Sequence, residues 1–195
     1  MNNSSKFLLA AVSLAACAGG HAASTSAAVE ITPMTYDGTV NDLVPAKLNG
    51  ACAINIMHIS DQRFSKESIS AEFPVQASAA EPWIDSGLDS LKTYGFTIQR
   101  AQTPVPNALN LDVRLIRAYT WYGQMRINGM VALDVDLMTA ADRRMEKYRA
   151  LGSKSNMWNG KSEHVTALNY AFNHTLHQMA QSLATECAQR KLVSQ

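Results

Sequence analysis

The sequence predicts a single α+β domain, in which a curved antiparallel sheet carries two helices packed on one face in the order β-α-β-β-β-α. Three observations predict this class. Apolar and polar side chains alternate along residues 109–121 and 125–138, as expected for strands with one buried face. Residues 162–190 instead place apolar side chains three and four positions apart, the spacing of an amphipathic helix. A capping pattern near residue 79 predicts the other helix.

The domain begins with a strand over residues 53–60, a segment rich in residues that favour strands. Ser78 is followed by a glutamate three residues later, which is the spacing of a capping box, so we expect a helix over residues 79–94. Gly95 ends this helix, because glycine adopts the left-handed conformation of a helix terminus without strain. A short strand over residues 96–100 follows.

Two turns compete to join the long central strands. Asn128-Gly129 is the stronger local signal for a hairpin, whereas residues 122–124 would form a three-residue loop. The loop at 122–124 places Leu115 opposite Val131 and keeps the apolar side chains of both strands on one face. The Asn-Gly turn would set apolar side chains against polar ones. We therefore expect the loop at 122–124.

A strand over residues 145–154 and a final helix over residues 162–190 complete the domain. The helix carries an apolar stripe made of Val165, Leu168, Phe172, Leu176, Met179, Leu183 and Cys187. This stripe should pack against the sheet.

Residues 1–16 have the features of a secretory signal peptide. Their apolar run, residues 7–16, is shorter than the 20 or so residues that span a bilayer. It ends in Leu-Ala-Ala-Cys, the pattern at which lipoprotein precursors are cleaved and lipidated on sulfur, here on Cys17. Cleavage by the ordinary signal peptidase after Ala18 or Ala22, or an N-terminal core helix, are the alternatives.

The chain is therefore expected to comprise a signal peptide (1–16), a lipidated cysteine with a flexible tether and extended arm (17–50), and the α+β domain (51–195). Acyl chains on Cys17 would attach the protein to a membrane. The residue after the lipidated cysteine is Ala18 and not an aspartate, which would signal retention. By analogy with other lipoproteins, this implies that the protein is located at the periplasmic face of the outer membrane. Removing the signal peptide takes the formal net charge from +1 to 0, which gives no support for nucleic-acid binding.

Cys52 and Cys187 remain after lipidation, in a compartment that permits disulfides. Cys187 belongs to the apolar stripe, and Cys52 lies just before the first strand. A disulfide between them would close the two ends of the domain and contribute up to about 4–5 kcal/mol in the chain-entropy account. Two buried free thiols are the alternative.

The sequence has no pattern typical of a catalytic or metal site. His174 and His177 share a helix face, but an HExxH pattern and an evident third ligand are lacking, so a solvated surface explains them. Asp134 and Asp136 lie on one side of a strand without a recognisable cleft. Nucleophile-elbow, P-loop and dinucleotide motifs do not occur. We therefore expect no enzymatic activity, no cofactor and no bound metal.

One cluster suggests contact with another molecule. Tyrosine, tryptophan and arginine, which dominate binding hot spots, concentrate toward the end of the central hairpin. The cluster consists of Arg114, Arg117, Tyr119, Trp121, Tyr122 and Arg126. Alternatively, Tyr119 and Trp121 continue the apolar face of the preceding strand residues and cover the second helix. The first reading predicts a docking surface for a protein or glycan in the periplasm.

Several segments, taken in their order along the chain, resemble one family. They are residues 54–63, the Gly-Phe pair at 95–96, Asn-Leu-Asp-Val-Arg-Leu at 110–115, Lys-Tyr-Arg-Ala at 147–150, and the final helix. They resemble the YajG-like lipoproteins of Gram-negative bacteria, over most of residues 52–185. The resemblance implies a lipid anchor and an α+β domain and supplies no catalytic residues. The pair Cys52 and Cys187 departs from it.

These observations predict a non-catalytic, membrane-tethered periplasmic lipoprotein that acts through protein contacts in cell-envelope assembly or transport. The partner is expected to be another envelope protein. The alternative function is that of a carrier, whose helices and sheet enclose a small apolar cavity for a lipid or other amphiphile.

Overall fold

The computed structural model describes residues 31–70, 75–78, 80–139, 142–155 and 160–193. The predicted signal peptide, the lipidation site at Cys17 and the beginning of the tether lie outside these residues. The strands are β1 (Ile31–Pro33), β2 (Ala53–Asp61), β3 (Gln76–Ser78), β4 (Thr97–Gln99), β5 (Leu109–Gly123), β6 (Arg126–Met138) and β7 (Arg143–Ser155). The helices are α1 (Ala80–Asp89), continued by a 3₁₀-helix (Ser90–Tyr94), and α2 (Lys161–Val193).

Five strands form one sheet in the order β4-β2-β5-β6-β7, while β1 and β3 pair separately. The antiparallel arrangement predicted for β5, β6 and β7 is confirmed, but β2 runs parallel to both β4 and β5. The expectation of a purely antiparallel sheet is therefore wrong. The reason is the helix between β2 and β4, because a helical crossover returns the chain to the end where β2 began and makes the next strand parallel. The domain is α+β with a mixed sheet.

The core lies between the sheet and the two helices. Trp83 of α1 packs against Phe172 of α2, with ring centroids 4.3 Å apart, and its indole N–H donates a 2.8 Å hydrogen bond to the Asn169 side chain. This bond satisfies the polar atom of an otherwise apolar ring that is 1% exposed. Gly95 terminates the 3₁₀-helix with φ of 100°, in the left-handed conformation that the sequence predicts.

Two glycines allow α2 to lie directly on the sheet. Gly129 and Gly152 are opposite each other on β6 and β7. A Cβ atom at Gly129 would lie 2.5 Å from the Ala167 carbonyl oxygen, and one at Gly152 would lie 2.2 Å from the Ala171 nitrogen. The Asn-Gly dipeptide therefore lies within a strand rather than in a turn, and Gly129 serves close packing of the helix.

The central hairpin turns at Gln124 and Met125, so its centre lies one and a half residues beyond the centre of the loop predicted at 122–124. Both have positive φ angles, 50° and 61°, as in the two-residue turns whose twist suits a hairpin. The predicted pairing of Leu115 with Val131 is therefore wrong, and Leu115 lies opposite Leu133. A β-bulge between Leu115 and Arg117 restores the apolar match that the turn alone would break.

The arm that precedes β2 packs onto α2. The Asn173 side-chain amide donates hydrogen bonds to the carbonyl oxygens of Asp37 and Val40, and its oxygen accepts one from the Tyr36 hydroxyl at 2.6 Å. These bonds hold part of the segment predicted as tether and arm against the helix.

The structure contains the predicted disulfide between Cys52 and Cys187, whose Cα atoms are 5.7 Å apart. It joins the segment before β2 to the C-terminal part of α2. Because 135 positions separate the two cysteines, the cross-link restricts nearly the whole domain in its unfolded state.

Candidate partner-binding surface

The bulge in β5 decides which side chains of this strand face away from the helices. Leu111, Val113 and Leu115 are buried before the bulge, and Ala118 and Thr120 are buried after it. Thr120 lies opposite Gly129, which contacts α2, so Tyr119 and Trp121 lie on the opposite side, here called the outer face. The alternative interpretation, in which both rings continue the apolar face and cover a helix, is wrong.

Apolar and aromatic side chains form a row across the outer face. Tyr119 of β5 lies opposite Met130 of β6, which lies opposite Leu151 of β7. The Tyr119 and Trp121 rings are 5.5 Å apart between centroids and inclined by 36°. Leu151 is 57% exposed, and both rings are half-buried. We call these four residues the aromatic patch.

Arginines surround the aromatic patch. Arg117 and Arg149 lie on either side of Ala132 in the next cross-strand row, and Arg126 begins β6 at the end of the hairpin. All three arginines are exposed. Within the residues that the structure describes, no carboxylate lies at salt-bridge distance from any of them. The patch is therefore locally positive and complementary to acidic groups.

Arg114 belongs to a different, ion-paired cluster farther along the outer face. Its guanidinium donates two hydrogen bonds of 3.0 Å to the Asp136 carboxylate, which Arg143 also contacts at 3.0 Å. The hydrogen bond from Arg114 is the main cause that lowers the pKa of Asp136, and Arg143 adds to it despite the opposing effect of desolvation. Since its charge is already compensated, Arg114 is a structural residue.

Tyr122 faces the interior and takes part in a polar network beneath the hairpin. The Thr120 hydroxyl donates to the Ile69 carbonyl oxygen at 2.8 Å, so it accepts from His164 Nδ1 at 2.6 Å. His164 Nε2 then accepts the Tyr122 hydroxyl proton at 3.0 Å, a tautomer assigned from the network. His164 is 2% exposed, and this network satisfies both of its ring nitrogens.

The structure thus brings Arg117, Tyr119 and Trp121 of the predicted cluster together, with Arg126 at the hairpin end. It adds Met130, Leu151 and Arg149, which the sequence interpretation missed. Of these three, only Leu151 carried a signal, as one of two apolar residues, with Met145, on the outward side of β7.

The groove on the surface of the domain is separate from the buried layer between the sheet and the helices. Trp83, Phe172 and Leu133 are fully buried in the layer between sheet and helices, where the carrier hypothesis places its ligand. A groove of about 470 Å³ lies instead on the outer face, where Met57, His58, Asp112, Arg114 and Met138 are among the lining residues. Its walls are mixed in polarity, unlike the apolar walls of a lipid site.

No three His, Cys, Asp or Glu side chains come together as a metal site among the described residues. His174 instead lies between the Leu151 carbonyl oxygen, 2.8 Å from Nδ1, and the Asp42 carboxylate, which contacts Nε2. Over the same described ranges, neither helix combines the length and the apolar character needed to cross a bilayer.

No protein-family model matches the chain. A search of curated proteins gives no match either. The relation to YajG-like lipoproteins therefore remains a resemblance of motifs.

Several solved structures are similar to this chain. An uncharacterized protein is 11% identical and covers 76% of this chain and 96% of its own, with a TM-score of 0.38. A protein of Caulobacter crescentus CB15, described as a proposed lipoprotein, is 12% identical over 66% of this chain and 91% of its own, with a TM-score of 0.37. A proposed homologue of a neuraminyllactose-binding hemagglutinin from Helicobacter pylori is 8% identical over 75% of this chain and 92% of its own, with a TM-score of 0.37.

Proposed function

We propose that this chain is a non-catalytic lipoprotein of the YajG-like type, tethered through Cys17 to the periplasmic face of the outer membrane, which binds another envelope protein through its aromatic patch. The observation that carries the proposal is the outward Tyr119–Trp121 pair beside arginines that have no acidic partner among the described residues. Aromatic rings bury a large rigid area on binding, and unpaired arginines select acidic groups. Such a surface is suited to contact with a protein partner.

In-cell photocrosslinking tests the patch. A photoreactive amino acid in place of Trp121 should yield a discrete crosslinked protein, and the combined changes Arg117→Glu and Arg149→Glu should abolish it without lowering the melting temperature. The matched control places the same amino acid at Phe64, another exposed aromatic position. Equal products from both positions, products that survive the charge reversal, or label recovered on phospholipid alone would contradict the proposal.

Metabolic labelling with a fatty-acid probe tests the tether independently. Wild-type protein should carry the label and stay with membranes washed in salt, whereas Cys17→Ser should be unlabelled and released. Labelling that persists in Cys17→Ser would refute lipidation at this residue.

A further inference from the structure

Strand β7 lies at the edge of the sheet and contributes Leu151 to the aromatic patch. β7 is the last strand of the five-stranded sheet and pairs with β6 along all of Arg143–Ser155. Among the described residues, no strand pairs with its other edge. A strand of 13 residues is long for a sheet edge, which natural proteins usually keep short or cover.

The direction of the β7 peptide groups follows from two hydrogen bonds. The Thr139 N–H donates to the Asp142 carbonyl oxygen at 2.8 Å, and the Asp142 N–H donates to the Thr139 hydroxyl oxygen, so these opposed residues direct their peptide groups toward each other as in a hydrogen-bonded pair of the ladder. Because such pairs alternate, the peptide groups of Arg143 and of every second residue after it point away from β6. The Leu151 carbonyl confirms this phase, since it is bound by His174.

The open part of this edge carries two exposed basic side chains. Lys147 and Arg149 point their peptide groups to the edge and their side chains to the outer face, where both are exposed. Neither makes an ion pair with another described residue. Beside them, Leu151 ends the cross-strand row that begins at Tyr119. A strand added beside Arg143–Arg149 would lie next to this end of the aromatic patch.

We infer that the β7 edge accepts an extended acidic segment of a partner protein as a sixth strand of the sheet. This inference rests on the proposed binding function and specifies the form in which the partner binds. Main-chain hydrogen bonds with the peptide groups of Arg143, Met145, Lys147 and Arg149 would hold the segment. Its acidic side chains would meet Lys147 and Arg149 on the outer face. A second copy of this chain is disfavoured at the same edge, because pairing β7 with itself would bring like charges together.

A synthetic peptide tests this inference on the purified full-length chain. The probe is a fluorescent peptide of about ten residues, in which glutamate alternates with valine; its control has lysine for glutamate. The glutamate peptide should bind and should slow hydrogen exchange at the Lys147 and Arg149 amides. Equal binding of both peptides, or binding without that protection, would overturn the inference.

Proline separates the main-chain contribution from charge. Lys147→Pro removes an edge-facing N–H and leaves the ladder with β6 intact, whereas Lys147→Gln removes only the charge. The proline variant should bind the glutamate peptide roughly tenfold more weakly than the glutamine variant. If the proline variant unfolds, methylating alternate amides of the peptide blocks the same bonds and should abolish binding to wild-type protein.

The two proposals fail separately. A crosslinked partner at position 121 together with equal peptide binding by the proline and glutamine variants would refute strand addition and leave the binding function standing. Peptide binding at β7 without any crosslinked protein from position 121 would refute the binding function.

Discussion

Replacing Gly152 by alanine tests the contact on which the packing of α2 depends. The added Cβ would lie 2.2 Å from the Ala171 nitrogen and 2.5 Å from the Tyr170 Cβ. Carbon atoms in ordinary contact are about 3.5–4.0 Å apart, so helix and strand must separate by more than about 1 Å. Neither neighbour is the flexible end of a side chain.

The magnitude follows from two opposing effects. Overpacking a core costs about 1–3 kcal/mol, and this site belongs near the upper end because backbone atoms are involved. The smaller conformational freedom of alanine in the unfolded chain returns about 0.4–1 kcal/mol. We expect Gly152→Ala to lower the free energy of unfolding by about 2 kcal/mol and the melting temperature by roughly 4–8 °C.

Urea unfolding of the disulfide-bonded protein, with equal denaturant slopes, measures the difference. The matched control is Gly160→Ala, where the added Cβ meets, among the described residues, only the Ser162 hydroxyl oxygen at 3.7 Å. Because Gly160 caps the N-terminus of α2, where alanine is less favoured than glycine, that variant should lose at most about 1 kcal/mol. Equal stability of the two variants would refute the close contact between Gly152 and α2.

Three further predictions follow from the cross-link, the outer-face ion pair and the arm. Changing Cys52 and Cys187 to serine should lower the free energy of unfolding by up to about 4–5 kcal/mol. If denatured, unreduced wild-type protein had two more reactive thiols than the double variant, the disulfide would be contradicted. Arg114 lowers the folded-state pKa of Asp136. The contribution of Asp136 to stability is therefore complete above its unfolded pKa near 3.9 and is lost as the pH falls through its folded pKa. Asp136→Asn should reduce the acid sensitivity of unfolding, and an unchanged pH profile of stability would refute this. Asn173→Ala should release the arm and speed its limited proteolysis at least severalfold, whereas cleavage at the wild-type rate would show that other contacts hold it.

Several features could be predicted from the sequence because they depend on local periodicity. The alternation in β5 and β6 and the apolar stripe of α2 determine which residues form strands and which form a helix. The left-handed terminus at Gly95 and the pairing of Cys52 with Cys187 also follow from local patterns and from counting.

Other features depend on contacts between distant segments. The parallel pairing of β2 results from the course of the chain over α1, which periodicity does not record. Gly129 has the signature of a turn, yet its lack of a side chain serves the approach of a helix nearly forty positions later. The bulge before Arg117 shifts the register of one strand against its partner and thereby turns Tyr119 and Trp121 outward.

The candidate site shows the same division. Residue types by themselves indicate a hot spot in the hairpin, because tyrosine, tryptophan and arginine are suited to contact wherever they are exposed. Only the tertiary structure decides that Arg114 is ion-paired, that Tyr122 is turned inward, and that Leu151 of another strand completes the aromatic patch. A one-residue bulge exchanges the two faces of a strand, and the pairing energy that selects it belongs to the whole sheet rather than to any segment of the sequence.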